Sequence, residues 1–162
     1  MKTDTPRPVR LEDYRPPAYL VDEVRLDVSL HPTRTRVKSR LKLRANSAAT
    51  ERGGPLRLDG ESLELAALRL DRKPLDPRAY ELTDTALTIP RPPAKPFTLE
   101  ATTYINPDAN KALQGLYRSR GVYCTQCEAE GFRRITYFPD RPDLVMKVAA
   151  TESKRPAARA NR

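Results

Sequence analysis

The feature that most constrains this fold is the run 35–45, in which apolar and basic side chains alternate along the chain. Val37, Leu41 and Leu43 occupy one set of alternate positions. Because successive side chains of a β-strand point to opposite faces, the pattern predicts a strand with one buried and one solvated face. The solvated face carries a basic stripe, which consists of Arg34, Arg36, Lys38, Arg40, Lys42 and Arg44.

Shorter alternating runs recur along the chain, and turns that contain proline or glycine separate them. The 16 prolines disfavour long helices, because proline fixes φ and lacks a backbone donor. We therefore predict an all-β fold, either an antiparallel β-sandwich or a curved sheet of short strands. A short helix is the alternative at 62–70, and 106–120 is predicted to be a loop. The predicted strands are 24–30, 35–45, 56–59, 62–70, 80–82, 86–89 and 97–105.

A chain of 162 residues suits one domain, and we expect a flanking segment on either side of it. Residues 1–18 hold four prolines and are predicted to form an irregular arm. Residues 19–148 are predicted to form the β-domain. Residues 149–162 contain no Val, Ile, Leu or aromatic side chain, so this basic tail is predicted to be disordered.

The formal net charge of +9 favours an anionic partner such as nucleic acid or a membrane surface. The basic stripe could follow phosphates, but no aromatic residue that would stack on a base lies between Tyr19 and Tyr80. We therefore interpret the stripe as a solvated strand face and do not favour nucleic acid as a partner. No apolar run approaches the ~18 residues of a transmembrane helix, and the N-terminus lacks the apolar core of a signal peptide. A cytoplasmic protein without membrane contact is predicted.

Side chains that could bind a ligand or take part in a reaction are concentrated at 121–132. This stretch reads Gly-Val-Tyr-Cys-Thr-Gln-Cys-Glu-Ala-Glu-Gly-Phe. In an extended strand, Gln126, Glu128 and Glu130 would share one polar face. Carboxylates and an amide oxygen can accept hydrogen bonds from a protonated amine, so a peptide N-terminus is a candidate ligand. From the residue types alone, a solvated strand face without a ligand is the alternative.

Cys124 and Cys127 form one Cys-x-x-Cys pair. A structural zinc site normally has four ligands, and His31 is the only histidine, so the sequence does not supply such a site. A redox motif of the thioredoxin type would need a strand-helix-strand context, which the pattern does not predict. We therefore predict two free thiols and no metal bound by this chain.

Four stretches around this motif resemble the N-terminal domain of bacterial-type aminopeptidases N, which belong to zinc metallopeptidase family M1. They are Gly-Leu-Tyr at 115–117, Cys-Thr-Gln-Cys-Glu-Ala-Glu-Gly-Phe at 124–132, Arg-Ile-Thr-Tyr-Phe at 134–138 and Asp-Arg-Pro-Asp at 140–143. The resemblance implies a β-domain of the same architecture. It also implies that Gln126 and Glu128 line the first substrate pocket, with Glu128 holding the free amino group of a peptide.

The catalytic motifs of that family are not found in this sequence. A zinc aminopeptidase needs a His-Glu-x-x-His pair, a further Glu ligand and a Gly-x-Met-x-Asn loop, whereas this chain has one histidine. We therefore expect a domain truncated before its catalytic domain and inactive alone, with no catalytic residue of its own and with zinc in the parent enzyme. Its expected partners are a peptide N-terminus and that missing catalytic domain. The alternatives are a standalone module that binds peptide N-termini and, less favoured, an anion- or nucleic-acid-binding β protein.

Overall fold

Strands account for nearly all the regular structure in the computed structural model, which describes residues 14–49, 53–144 and 147–152. Two short 3₁₀ helices, Pro77–Ala79 and Phe132–Arg134, accompany them in these ranges. The prediction of an all-β fold of short strands is confirmed. In chain order the strands are β1 (Tyr19–Ser29), β2 (Thr35–Ala45), β3 (Leu56–Asp59), β4 (Glu64–Leu70), β5 (Lys73–Pro74), β6 (Glu81–Leu82), β7 (Ala86–Ile89), β8 (Phe97–Ile105), β9 (Gly115–Ser119), β10 (Val122–Gln126) and β11 (Lys147–Glu152).

Six of these strands form one large sheet in the order β11-β1-β2-β8-β4-β5. β11 runs parallel to β1, and the other neighbours are antiparallel. β2 lies near the middle of this sheet, with the side chains of Val37, Leu41 and Leu43 buried on its inner face. The basic stripe lies on the opposite, solvent-facing side. The predicted amphipathic strand and its pairing with the first strand are therefore confirmed.

Two smaller sheets, β3-β7-β6 and the hairpin β9-β10, pack against the inner face of the large sheet. Leu58 of β3, Leu87 of β7 and Leu116 of β9 join Val24 and Leu99 of the large sheet in one hydrophobic cluster. Removing such apolar surface from water stabilises the fold by about 25 cal/mol per Å². The core therefore lies between the sheets, as in a β-sandwich.

The prediction of a loop at 106–120 was wrong for its C-terminal part. Gly115–Ser119 form β9, which pairs with β10. Arg120 and Gly121 connect the two strands, and both have positive φ values, 49° and 85°. Two-residue connections of this kind match the right-handed twist of the flanking strands. An arginine at the first position concealed the turn, because Asn, Asp or Gly is the usual signal there.

Segment 62–70 forms a strand, as favoured, and not a helix. The strand begins at Glu64, because Ser62 has a φ of 56° and cannot continue an extended run. The short strand predicted at 80–82 comprises only Glu81–Leu82 and follows the 3₁₀ helix Pro77–Ala79.

β11 corrects the prediction for the C-terminal segment. Residues 149–152, which were predicted to be disordered, continue a strand that pairs with β1. Apolar side chains are not required there, because backbone hydrogen bonds hold an edge strand whose residues are all exposed. The rest of the predicted tail, 153–162, and residues 1–13 of the predicted arm lie outside the described residues. Residues 14–17 belong to no helix or strand, and no helix in the described ranges is long and apolar enough to cross a membrane.

Candidate functional site

The motif leaves the sheet directly after Gln126, the last residue of β10. The prediction that an extended strand continues through Glu130 was wrong, because Glu128–Gly131 form a turn. The backbone N–H of Gly131 donates to the carbonyl of Cys127 at 3.0 Å, and Glu130 has a φ of 70°. The three polar side chains therefore do not share one strand face.

Gln126 and Glu128 nevertheless stay close together at the open end of the hairpin. The side-chain amide of Gln126 donates to the backbone carbonyl of Glu128 at 3.4 Å. Both side chains are exposed. Among the residues that the structure describes, none forms a hydrogen bond or ion pair with the carboxylate of Glu128. This carboxylate can accept hydrogen bonds from a ligand without breaking an existing contact.

Glu130 has a different environment. Its carboxylate lies 3.1 Å from Nη2 of Arg133, and Arg133 also donates to a carboxylate oxygen of Asp140 from its backbone N–H and from Nε, both at 3.0 Å. Arg134 pairs with Glu61 at 2.6 Å. The two arginines after the motif therefore pair with carboxylates, but neither pairs with Glu128.

Two glycines set the position of this turn by close backbone approach. A Cβ atom on Gly131 would lie 2.6 Å from the carbonyl oxygen of Gln126. One on Gly115, which pairs with Gln126 at the start of β9, would lie 2.6 Å from Cβ of Arg134. Contacts this short are not tolerated, so only glycine fits at either position. The prediction that Gly131 permits a turn or a close approach is confirmed.

The segment after the turn fastens the motif to both layers of the fold. Phe138 and Asp59 of β3 exchange two backbone hydrogen bonds of 2.8 and 3.0 Å. The hydroxyl of Thr136 donates to that of Ser39 on β2 at 2.8 Å, and both residues are buried. The exposed end of the motif is therefore carried by a rigid, buried base.

A residue that the sequence did not single out lies at the same end of the hairpin. Leu113 precedes β9 by two positions, is 56% exposed and has a φ of 55°. The side-chain amide of Asn110 donates to the carbonyls of Gln114 and Leu116 at 2.7 and 3.0 Å and so fixes this loop. An exposed leucine in a left-handed conformation has no signal in a single sequence, because leucine rarely adopts that conformation.

Both cysteines are free thiols. Cys127 packs against the hydrophobic core, and its burial, together with the charge of Asp140, raises the pKa of its thiol. The side chain of His31 stabilises a turn. Its Nδ1 accepts hydrogen bonds from the backbone N–H groups of Thr33 and Arg34 at 3.3 and 3.2 Å. Within the described ranges, no three His, Cys, Asp or Glu side chains come together as metal ligands. These residues therefore do not fit the zinc ion of the family that the motif resembles.

Most of the basic stripe is neutralised by carboxylates on neighbouring elements. Ion pairs join Arg34 to Glu64 at 2.8 Å and Arg44 to Asp22 at 2.9 Å. The remaining pairs of the stripe are Arg36 with Asp27, Arg40 with Glu100 and Lys42 with Glu23. This pairing supports the interpretation of a solvated strand face and weighs against an extended phosphate-binding surface.

Bacterial relatives match this chain over nearly its whole length. Aminopeptidase N of Caulobacter vibrioides is 48% identical over 147 residues, which are 91% of this chain and 17% of the relative. The chain belongs to the aminopeptidase N family. The resemblance of the motif to that family is thereby confirmed. The chain spans only 17 to 18% of the length of the curated relatives it matches.

Solved structures of aminopeptidases share the fold. The structure of Legionella pneumophila aminopeptidase A in complex with aspartic acid is 35% identical and has a TM-score of 0.80, covering 89% of this chain and 17% of that one. An M1 zinc metallopeptidase from Deinococcus radiodurans has a TM-score of 0.69 at 14% identity over 86% of this chain and 33% of that one, which shows the fold alone. The chain thus has the fold of an aminopeptidase N-terminal domain. No protein-family model matches the sequence.

Proposed function

We propose that this chain is the substrate-anchoring domain of an aminopeptidase N and that Glu128 and Gln126 bind the protonated N-terminus of a peptide. The observation that carries the proposal is the exposed carboxylate of Glu128, which has no ion-pair partner among the described residues. Glu130, two positions later, is already paired with Arg133. An ammonium group donates strong hydrogen bonds to a free carboxylate, and the amide oxygen of Gln126 supplies a further acceptor.

The rigid base under the motif suits such an anchor. If the amine is held at Glu128, the first peptide bond of the substrate lies at a fixed distance from the domain, and reaction rates depend strongly on such positioning. We assign bond cleavage to the catalytic domain of the parent enzyme, because the described residues of this chain bring no metal ligands together. The cytoplasm remains the proposed compartment.

Binding of short peptides to the purified chain tests the anchor directly. In a titration of an isotope-labelled sample followed by NMR, trialanine amide should shift the backbone signals of 126–131, and N-acetyl trialanine amide should not. We expect weak binding that needs a large excess of peptide to be detected, because an exposed ion pair contributes only about 0–1 kcal/mol. Glu128→Gln should abolish the shifts. Glu130→Gln removes the same charge from a carboxylate paired with Arg133 and should leave them unchanged.

A second experiment tests the role in catalysis. The chain is mixed with zinc and a separately expressed catalytic region of a related aminopeptidase, and hydrolysis of a chromogenic alanine amide is followed. We expect activity only in the mixture, with a loss of tenfold or more in Glu128→Gln. Peptide binding without activity in any mixture would favour the standalone module. Equal binding of the acetylated peptide would contradict the anchor itself.

A further inference from the structure

A groove of about 440 Å³ lies on the solvent-facing side of the large sheet, on the face opposite the hairpin β9-β10. Its floor is made by short side chains, among them Ala67 of β4 and Thr102 of β8. Longer charged side chains rise around this floor. They are Arg25, Asp27, Lys38, Arg40, Arg69 and Glu100.

The strand register explains how the groove forms. Glu100 lies between Arg40 on one neighbouring strand and Arg69 on the other. In the next row of the same face, Thr102 lies between Lys38 and Ala67. A row of long side chains therefore adjoins a row in which two of three are short, and this leaves a depression.

The charges in the groove are not balanced. Of the described side chains that line it, four are cationic and two are carboxylates, a net charge of +2. Arg40 is held by Glu100, to which its Nε donates at 2.8 Å. Lys38 and Arg69 form no ion pair with any described residue. Lys38 differs in this from the other five members of the basic stripe, and Arg69 lies on β4 outside the stripe. The uncompensated charge of this face is therefore concentrated in the groove.

We propose that the groove binds a compact polyvalent oxyanion, such as a short polyphosphate, between Lys38 and Arg69. An arginine fork and a lysine ammonium group both recognise phosphate oxygens. The two residues are carried by strands separated only by β8, and hence by about 10 Å between backbones, a span that their side chains can close around one small ligand. None of the described side chains that line the groove is aromatic, so a nucleotide base would gain no stacking from them. The site is independent of the anchor at Glu128.

Calorimetric titration of the purified chain with inorganic tripolyphosphate at low salt tests this site. We expect saturable binding that weakens as salt is added. Lys38→Gln and Arg69→Gln should each lower the affinity about fivefold or more, because each removes a charge-assisted contact. Both side chains are exposed, and thermal unfolding of each variant checks that the fold is kept. Lys42→Gln, which makes the same charge change at a residue paired with Glu23 and outside the groove, should stay within twofold.

The other outcomes separate the sources of such an anion. ATP should bind about as tightly as tripolyphosphate, and markedly tighter binding of ATP would overturn recognition through the anionic groups alone. A DNA duplex is the third ligand to test. If it binds more tightly than tripolyphosphate, and if this binding depends on Arg36 and Arg44, the result would contradict a site confined to the groove and favour an extended nucleic-acid-binding surface. Absence of binding at millimolar tripolyphosphate, or an equal loss in Lys42→Gln, would refute the proposal.

Discussion

Leu113 holds its backbone in a left-handed conformation beside the candidate anchor, with a φ of 55° and a side chain that is 56% exposed. Such a conformation costs an L-residue roughly 1–2 kcal/mol, whereas glycine adopts it freely. We expect Leu113→Gly to raise the free energy of unfolding by about 1 kcal/mol, a gain of about 2–4 °C in melting temperature for a chain of this size. Thermal denaturation followed by circular dichroism measures the change.

Gln114→Gly is the matched control, because the neighbouring residue is not among those with positive φ. This variant should lose about 0.4–1 kcal/mol, since glycine adds freedom to the unfolded chain. Equal effects of the two variants would show that the conformation of Leu113 stores no strain.

Asp143 should titrate below its ordinary pKa of 3.8, because Arg141 donates two hydrogen bonds of 2.9 Å to its carboxylate. A carboxyl group with a lowered pKa stabilises the fold above its unfolded pKa, and this contribution is lost as pH falls through the folded pKa. Arg141→Gln should therefore raise the pKa of Asp143 and weaken the loss of stability below about pH 4. Carbon-detected NMR titration of the side chain measures the pKa.

Arg91→Gln provides the comparison for this titration. Arg91 is exposed and forms no ion pair with a described residue, so the titration of Asp143 should not change. A pKa of Asp143 that is the same in all three proteins would contradict the assigned hydrogen bonds.

The sequence indicated some residues of the candidate site and missed others. The resemblance of the motif to the family indicated Gln126 and Glu128 as binding residues. The alternation of side chains along a strand, however, placed Glu130 on the same face as these two residues. The structure separates the two glutamates, because the turn brings Arg133, three residues on, against Glu130. Leu113 was missed altogether, since its position depends on pairing between β9 and β10.

At the scale of elements, the end of the hairpin depends on the turn that Gly131 closes. A Cβ atom there would lie 2.6 Å from the carbonyl oxygen of Gln126 and 2.9 Å from Cα of Cys127. Both are backbone atoms, so they can move away only if the turn itself is distorted. We expect Gly131→Ala to cost about 1–3 kcal/mol of unfolding free energy, as for other overpacked sites. Because the turn must shift, it should also abolish the peptide-induced NMR shifts. Chemical denaturation and the same peptide titration measure the two effects.

Gly54→Ala is the corresponding control, because a Cβ on Gly54 meets no atom within 4 Å and its φ is not positive. It should raise the free energy of unfolding slightly, by about 0.4–1 kcal/mol, because alanine restricts the unfolded chain, and it should leave the peptide titration unchanged. A Gly131→Ala protein with native stability would show that the two backbones are less close than described.

Strands with strict alternation were predicted to within a few residues, and β8 (Phe97–Ile105) in full, because their apolar side chains must all reach one core. β9 and β11 were missed for different reasons. β9 is short and ends in a turn without Asn or Asp, and β11 has no buried face at all. An edge strand of that kind is specified by the partner whose backbone it meets, which local sequence does not reveal.

At the scale of the whole molecule, one core joins all three sheets. Phe138 is 1% exposed and belongs to this core, and its backbone bridges to β3. We expect Phe138→Ala to lower the free energy of unfolding by about 3–5 kcal/mol, because the large cavity cannot collapse fully. The loss should occur in one cooperative transition, in which hydrogen exchange of β1 and β10 accelerates together. Chemical denaturation combined with hydrogen exchange tests both points.

Leu82→Ala serves as the comparison, because Leu82 is 49% exposed on a short edge strand. Its effect should stay within about 0.5 kcal/mol. Separate transitions for β1 and β10 in the Phe138→Ala protein would show that the sheets do not share one core.

The parallel pairing of β1 with β11 has a consequence for how the protein is made. Glu23 pairs with Lys147, so the first described strand is synthesised well before the last described strand, with which it pairs. Through most of synthesis, the edge of β1 therefore lacks this neighbouring strand. The pairing of β1 with β11 then joins two segments that are far apart in the chain. Contacts so distant in sequence form slowly. The unpaired edge of β1 is thus a site at which the newly made chain can aggregate until residues 147–152 have been translated.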